Sequence, residues 1–237
     1  MGLLENKTAV IYGGGGAIGG AAARAFLREG ASVHVVGRTQ EPLDAIEGAQ
    51  TAIVDALDEA QVEAHADSVG RIDVSLNVIA HPYTHGTPFA DLSLDDFMAP
   101  PQVALRSNFI TARAAARRMI EQRSGVILFF GGSGPPVRGY HLGATQVAFD
   151  AMESLRRLIA AEHGKSGVRT VSLVTGGIFE GESLPQGVID GALEQAMLPR
   201  TGTLDDVGNA AVFAASDMGS ALTAATVNIS CGAIVDF

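Results

Sequence analysis

The densest chemical signal in the chain is the run Tyr12-Gly13-Gly14-Gly15-Gly16-Ala17-Ile18-Gly19. Glycines let main-chain amides come close to a charged ligand, and a helix opening behind them adds its N-terminal amides and the positive end of its dipole. A diphosphate is the ligand such a turn suits. Gly14, Gly16 and Gly19 satisfy GxGxxG spacing, although four consecutive glycines leave the register open. A second signal is Gly37-Arg38 after a valine-rich run. An acidic side chain there would bind the ribose hydroxyls of an adenosine and repel a 2′-phosphate, whereas an arginine grips a phosphate through two parallel N–H groups. A dinucleotide bound here is expected to be NADP(H) rather than NAD(H).

Acid–base chemistry has fewer candidates. The chain holds three tyrosines and six histidines. Tyr83, Tyr140, His81, His85 and His141 fall in stretches expected to be loops. A phenol with an ordinary pKa of ~10 needs a nearby cation to act near neutrality, and an imidazole does not. Ser133, Tyr140, His141 and His81 are the candidate catalytic residues, with Arg138 a source of positive charge for a tyrosinate or an anionic substrate.

The elements that must carry these residues alternate. Short β-branched runs at Thr8–Tyr12, Ser32–Val36, Thr51–Val54, Ile72–Ile79, Gly125–Phe130, Val168–Val174 and Thr226–Ile229 read as strands. Helical patterns lie between them, near Ile18–Glu29, Asp58–Val69, Gly143–His163, Gln186–Met197 and Leu204–Ser216. Pro100 and Pro101 are expected to open a further long helix to Arg123, with Leu105, Phe109, Ala112, Ala116 and Met119 on its apolar stripe. Val147, Ala151, Leu155 and Leu158 form the corresponding stripe of the Gly143–His163 helix. Strand–helix alternation predicts an α/β fold: a Rossmann-type three-layer αβα sandwich around a parallel sheet of about seven strands. Residues 1–237 are expected to form one domain.

With these elements in place, the chain resembles the short-chain dehydrogenase/reductase family from Lys7 to Asp236. The family's TGxxxGxG aligns with Tyr12, Gly13, Ala17 and Gly19, with Tyr in place of Thr and Ala in place of the middle Gly. Asp55 matches its adenine-contacting Asp. Asn77-Val78-Ile79-Ala80 stands for its NNAG, and Thr175-Gly176-Gly177-Ile178 for its PGGI beside the nicotinamide. The Arg200–Val207 stretch resembles its last-helix signature. The resemblance implies cofactor contacts at Gly13, Gly15, Gly16, Ile18, Gly19, Arg38, Asp55, Ala56, Asn77, Ile79 and Ile178. It also implies a variable substrate loop over residues 179–200. The family's Asn-Ser-Tyr-Lys tetrad does not follow: Ala104, Gly132, Leu142 and Gln146 align with it, with Ser133 one step past the Ser. The two lysines, Lys7 and Lys165, precede the first and sixth strands and so belong at the sheet's amino edge, opposite the edge where ligands bind.

Composition bounds what remains. A net charge of −10 argues against nucleic-acid and anionic-membrane partners. The lone Cys231 excludes an internal disulfide framework and a cysteine-based zinc site. No apolar run reaches membrane-spanning length, and no signal peptide is recognised at the N-terminus, so a cytoplasmic protein is expected. The alanine-rich helices Gln102–Arg123 and Gly143–His163 resemble the family's dimer faces, implying a homotetramer or homodimer. Three functions fit. The first is an NADP(H)-dependent oxidoreductase acting on a small carbonyl, alcohol or enone with a rearranged proton donor. The second is a non-redox cyclase, isomerase or lyase, and the third a catalytically silent binding protein on the same scaffold.

Overall fold

The structure, a computed structural model, describes residues 2–84, 86–131, 141–180 and 186–235. Strands β1 (Thr8–Tyr12), β2 (Ser32–Gly37), β3 (Gln50–Ile53), β4 (Val74–Asn77), β5 (Gly125–Gly131), β6 (Val168–Val174) and β7 (Ala225–Asn228) form one sheet. Its order is β3-β2-β1-β4-β5-β6-β7, and every pairing is parallel. The helices are α1 (Ala17–Arg28), α2 (Gln40–Asp44), α3 (Glu59–Val69), α4 (Leu94–Gln122), α5 (Ala144–His163), α6 (Gln186–Gln195) and α7 (Leu204–Ala215). This is the Rossmann-type sandwich that the alternation predicts. The inner strands β1, β4, β5 and β6 are buried along most of their length because helices cover both faces. Ala22 and Phe26 of α1 and Val212 of α7 pack with Ile11, Leu76, Leu128 and Leu173 on one face. Val62 of α3 and Ala112 and Met119 of α4 pack with Val10, Ile127 and Phe129 on the other.

Parallel order brings every strand's carboxyl end to one edge, and local chemistry fixes where each helix leaves it. The Asp58 carboxylate accepts the Ala60 and Gln61 amides at the start of α3. Thr203 and Asp206 cap α7 reciprocally, each side chain accepting the other's backbone N–H. No described helix is long and apolar enough to cross a membrane.

Helix α4 departs from expectation. It begins at Leu94, with the Ser93 hydroxyl accepting the Asp96 amide at 3.1 Å, so Pro100 and Pro101 lie inside it. A proline has no N–H, which leaves the carbonyl four residues back without its helical donor. For Pro100 that carbonyl is Asp96, and the Thr84 hydroxyl donates to it at 3.3 Å. The break is therefore repaired from outside the helix.

Of the apolar stripe expected on α4, Ala112, Ala116 and Met119 are buried, whereas Phe109 is 47% exposed under the Arg113 guanidinium. The stripe expected on α5 is rotated, with Val147 and Leu158 44% and 52% exposed. The buried faces also carry small and polar residues: Ala104, Ser107, Asn108 and Thr111 on α4, and Ala144, Thr145, Ala148 and Arg156 on α5. Most of their polar groups are paired internally, Arg156 Nη1 excepted. The Ser107 and Thr111 hydroxyls donate to carbonyls of their own helix at 3.3 and 2.8 Å. Arg156 binds Glu153 through two N–H groups at 2.9 and 2.6 Å, and the Ser172 hydroxyl of β6 donates to the same carboxylate. Helices with such faces approach closely without large apolar side chains between them.

A further polar group, with Tyr12 buried and two histidines half-buried, lies between β1, β2 and α3. Tyr12 ends β1, His34 lies in β2, and His65 of α3 stands edge-on to both, with ring centroids 6.4 and 6.0 Å away. Burial, and then the neighbouring His34, pushes His65 down to about 4, and burial lowers His34 as well. Burial raises the Tyr12 phenol, with Arg118 opposing and Glu63 adding to the shift. The imidazoles are therefore neutral in the folded protein near pH 7. An unfolded chain takes up these protons near pH 6.5, so stability is full above that value and falls as pH drops toward about 4. His65→Leu is expected to flatten this acid limb in urea titrations, and a parallel pH dependence in variant and wild type would contradict the assignment.

Candidate cofactor-binding and active site

The glycine turn leaves β1 under tight steric control. Gly13 has φ +83°, and a Cβ there would lie 2.8 Å from the Val78 carbonyl oxygen. A Cβ on Gly19 would lie 2.3 Å from the Gly13 carbonyl oxygen, so the first turn of α1 rests directly on the turn's backbone. The Gly13 and Gly14 amides both donate to the Val36 carbonyl, at 2.8 and 3.2 Å, and the Gly16 amide donates to Gly13 at 3.1 Å. Helix α1 then begins with Gly16 as its N-cap, without a side-chain cap and without an acid in its first turn. Its leading amides have no intrahelical acceptors, and no side chain competes for them. This cradle fits a diphosphate.

The other residues expected to hold a dinucleotide lie along the same edge. Arg38 follows the last residue of β2 and is exposed. Asp55 and Ala56 follow β3. The Asp55 carboxylate accepts the Leu57 amide at 2.9 Å, its own amide donates to Gln61, and Ala56 is buried. Asn77 closes β4: its amide nitrogen donates to the Thr111 hydroxyl at 3.1 Å, and its oxygen accepts the Ile79 amide at 3.0 Å. Those two bonds fix the direction in which the chain leaves β4. Ile178, beyond β6, pairs with Gly202 in a short parallel bridge. The topology thus lines up the ends of β1, β2, β3, β4 and β6.

Of the candidate catalytic residues, Ser133 and Tyr140 lie outside the described residues, as do His85 and Arg138. His141 is exposed and has φ +45°, immediately before α5. His81 lies in the loop after β4, its ring edge-on to Phe149 of α5 at 5.7 Å. Its Nδ1 is 2.9 Å from the Pro82 carbonyl oxygen. A carbonyl can only accept, so in the neutral ring the proton sits on Nδ1 and the lone pair on Nε2. Lys7 precedes β1 and lies 3.8 Å from Asp217, and Lys165 sits in the turn before β6. Both stand at the amino edge of the sheet.

The alignment puts Leu142 and Gln146 at the family's Tyr and Lys. Leu142 precedes the helix, and the Gln146 side chain bonds Asp150 at 2.9 Å on the exposed flank. The pair with the same four-residue spacing that meets the loop after β4 is Thr145 and Phe149. Thr145 accepts the Thr84 amide, and Phe149 packs so closely on Gly131, the last residue of β5, that a Cβ there would lie 2.9 Å from the ring. Beside it Phe129, Phe130, Met152, Glu153 and Val174 enclose a cavity of ≈10 Å³, room for about one water. Sequence reasoning missed Thr84, Thr145 and Phe149. The usable signal was the small-residue phase of Ala144, Ala148 and Met152, which marks the inner face of α5.

A larger cleft of ≈420 Å³ opens beside the expected substrate-loop region, lined by Met197, Leu198, Arg200, Asp206 and Cys231 among others. Its two charges are spent on each other, with Arg200 Nη1 2.5 Å from the Asp206 carboxylate. Among the described residues no cluster of His, Cys, Asp and Glu could hold a metal ion.

Residues 15–233 match the family model described as Enoyl-(Acyl carrier protein) reductase. The chain is 31% identical over 245 residues to a 3alpha-hydroxysteroid dehydrogenase of Mediterraneibacter gnavus, covering 96% of each chain. It is 29% identical to a D-threitol dehydrogenase of Mycolicibacterium smegmatis, over 97% of this chain and 93% of the other. Among solved structures, a gluconate 5-dehydrogenase from Burkholderia cenocepacia in complex with NADP and tartrate is similar. Its TM-score is 0.87 at 25% identity, covering 97% of this chain and 96% of that one.

Gly19→Ala forces backbone against backbone at the base of the cradle. It is expected to cost about 1–3 kcal/mol by urea titration. An unchanged unfolding midpoint would show that the turn can relax away from α1.

Proposed function

The chain belongs to the short-chain dehydrogenase/reductase family, and from that premise we propose that it is an NADP(H)-dependent oxidoreductase acting on a small carbonyl, alcohol or enone. The observation that carries this reading is the uncapped α1 N-terminus above a turn in which Gly13 and Gly19 leave no room for a side chain. The diphosphate would be held by the amides of Gly15, Ile18 and Gly19. Gly37 puts no carboxylate at the end of β2, and the exposed Arg38 takes the 2′-phosphate, so NADP(H) is preferred to NAD(H). Asp55 and Ala56 border the adenine, and Asn77, Ile79 and Ile178 border the nicotinamide half. The similar gluconate 5-dehydrogenase, whose structure contains NADP, supports the choice.

The bound dinucleotide supplies or accepts a hydride, and the chain's task is to position the substrate and move one proton. In this reading the family's tetrad is absent, with Leu142 and Gln146 standing where α5 would present its Tyr and Lys. His81 takes over the proton. Protonated, its Nε2 gives a proton to a carbonyl oxygen during reduction, and neutral, the same atom receives the hydroxyl proton during oxidation. Ser133, Tyr140 and His141 are the other candidate catalytic residues of this reading. The second and third functions, a non-redox enzyme and a silent binding protein, are kept apart from this one by cofactor turnover alone.

Titration with NADPH and NADH, followed by fluorescence, is expected to show tighter binding of NADPH, and Arg38→Ala is expected to remove most of that preference. His81→Gln should keep NADPH binding while lowering turnover of a responsive carbonyl by about 100-fold or more. Failure of both nucleotides to bind at millimolar concentration would sink the redox reading.

The exposed Phe109, Val147 and Leu158 on the outer faces of α4 and α5 support assembly as a homodimer or homotetramer. Light scattering is expected to return a dimer or tetramer mass, and a monomer at micromolar concentration would contradict it.

A further inference from the structure

The segment from His81 to Thr84 is fastened to α5 at two points. Thr145, in the first turn of α5, is 0% exposed. Its hydroxyl accepts the Thr84 amide at 2.9 Å and donates to the Thr84 carbonyl at 3.2 Å. One hydroxyl thus closes both backbone groups of one residue, as a neighbouring strand would. Thr84 is held from the other side as well, since its own hydroxyl donates to the Asp96 carbonyl that Pro100 leaves without a helical donor. The residue is sewn between α4 and α5. At the other end of the segment, the His81 ring rests edge-on against Phe149, one helical turn beyond Thr145, and its Nδ1–H donates to Pro82.

The geometry points to Thr145 as the residue that positions His81: by fixing both backbone groups of Thr84 it holds the loop that gives the imidazole its Nδ1–H tautomer and leaves Nε2 as the acceptor. This rests on the reading of His81 as the proton carrier, but it makes a separate structural claim. Thr145 touches no reacting atom, because its hydroxyl is used in both directions by Thr84. It acts through the loop. The same hydroxyl is thereby excluded as a proton donor, although it stands on the inner face of α5 at the family's Tyr–Lys spacing.

The test is nitrogen NMR of the imidazoles in the full-length protein, with His81 identified by the signals lost in His81→Asn. Wild type is expected to show His81 in the Nδ1–H form. Thr145→Val, close in shape but without the hydroxyl, is expected to show the averaged shifts of two exchanging tautomers, and Thr145→Ser to restore the wild-type pattern. A wild-type tautomer signature in folded Thr145→Val would overturn the proposal. Should that variant not fold, Thr145→Cys asks the same question, because a thiol is only a weak donor and acceptor. NADPH titration of the same samples separates the two claims. Absence of binding in wild type removes the redox reading, while the tautomer spectra still decide whether Thr145 positions His81. With a responsive carbonyl, Thr145→Val is expected to lower kcat at least tenfold and leave the KM for NADPH in place.

Discussion

Two backbones crossing without side chains between them govern how this molecule is put together. Where β1 turns into α1, Gly13 and Gly19 touch, and a single added carbon at Gly19 would fall 2.3 Å from the Gly13 carbonyl oxygen. That contact sets the angle at which α1 leaves the sheet, and hence how Ala22 and Phe26 meet the apolar face. It also keeps the helix's leading amides at the carboxyl edge, beside the ends of the neighbouring strands. Because the sheet is parallel throughout, the one crossing serves both the packing of a layer and the chemistry of an edge.

Polar residues inside the molecule follow a different logic from the apolar strands. Arg156 and Glu153 of α5, with Ser172 of β6, form a buried group in which the carboxylate is satisfied by three donors. Removing one member of such a group leaves the other's charge stranded, which is why it fixes a helix more sharply than apolar packing of the same area. The seam between α3 and α4 is charged too, with Arg113, Arg117 and Arg118 facing Glu59, Glu63 and Asp67. Those partners are closer to solvent and contribute less each.

Strands were legible in the sequence because β-branched runs buried on both faces have few alternatives, and the glycine turn was legible because its spacing falls between a strand and a helix. The start of α4 was not. Pro100 reads as a helix opener unless a donor elsewhere takes the Asp96 carbonyl, and the Thr84 hydroxyl that does so is 12 residues away in sequence. The inner faces of α4 and α5 were hidden for a related reason. Hydrophobic periodicity selects Met119 correctly but also Phe109, Val147 and Leu158, whereas the packed faces include many alanines and Ser107, Asn108, Thr111 and Arg156, most of whose polar groups are paired locally. At the site, Arg38 could be placed from the end of a strand, and Asp55 and Asn77 from the resemblance to the family's motifs. Thr145 could not, because its meaning lies in two hydrogen bonds to a residue 61 positions earlier.

The proline pair in α4 has a consequence for how the molecule breathes. Neither Pro100 nor Pro101 offers an amide hydrogen, so the hydrogen-bond ladder that normally makes a helix melt as one unit is interrupted there. Two ladder bonds are missing there, those to the Asp96 and Phe97 carbonyls, and Thr84 takes up the first from outside the helix. Such an interruption weakens the coupling of the first turns to the helix beyond them, which packs against the sheet through Ala112 and Met119. Amide exchange in α4 is thereby expected to be faster in the turns before Pro100 than in those after Pro101.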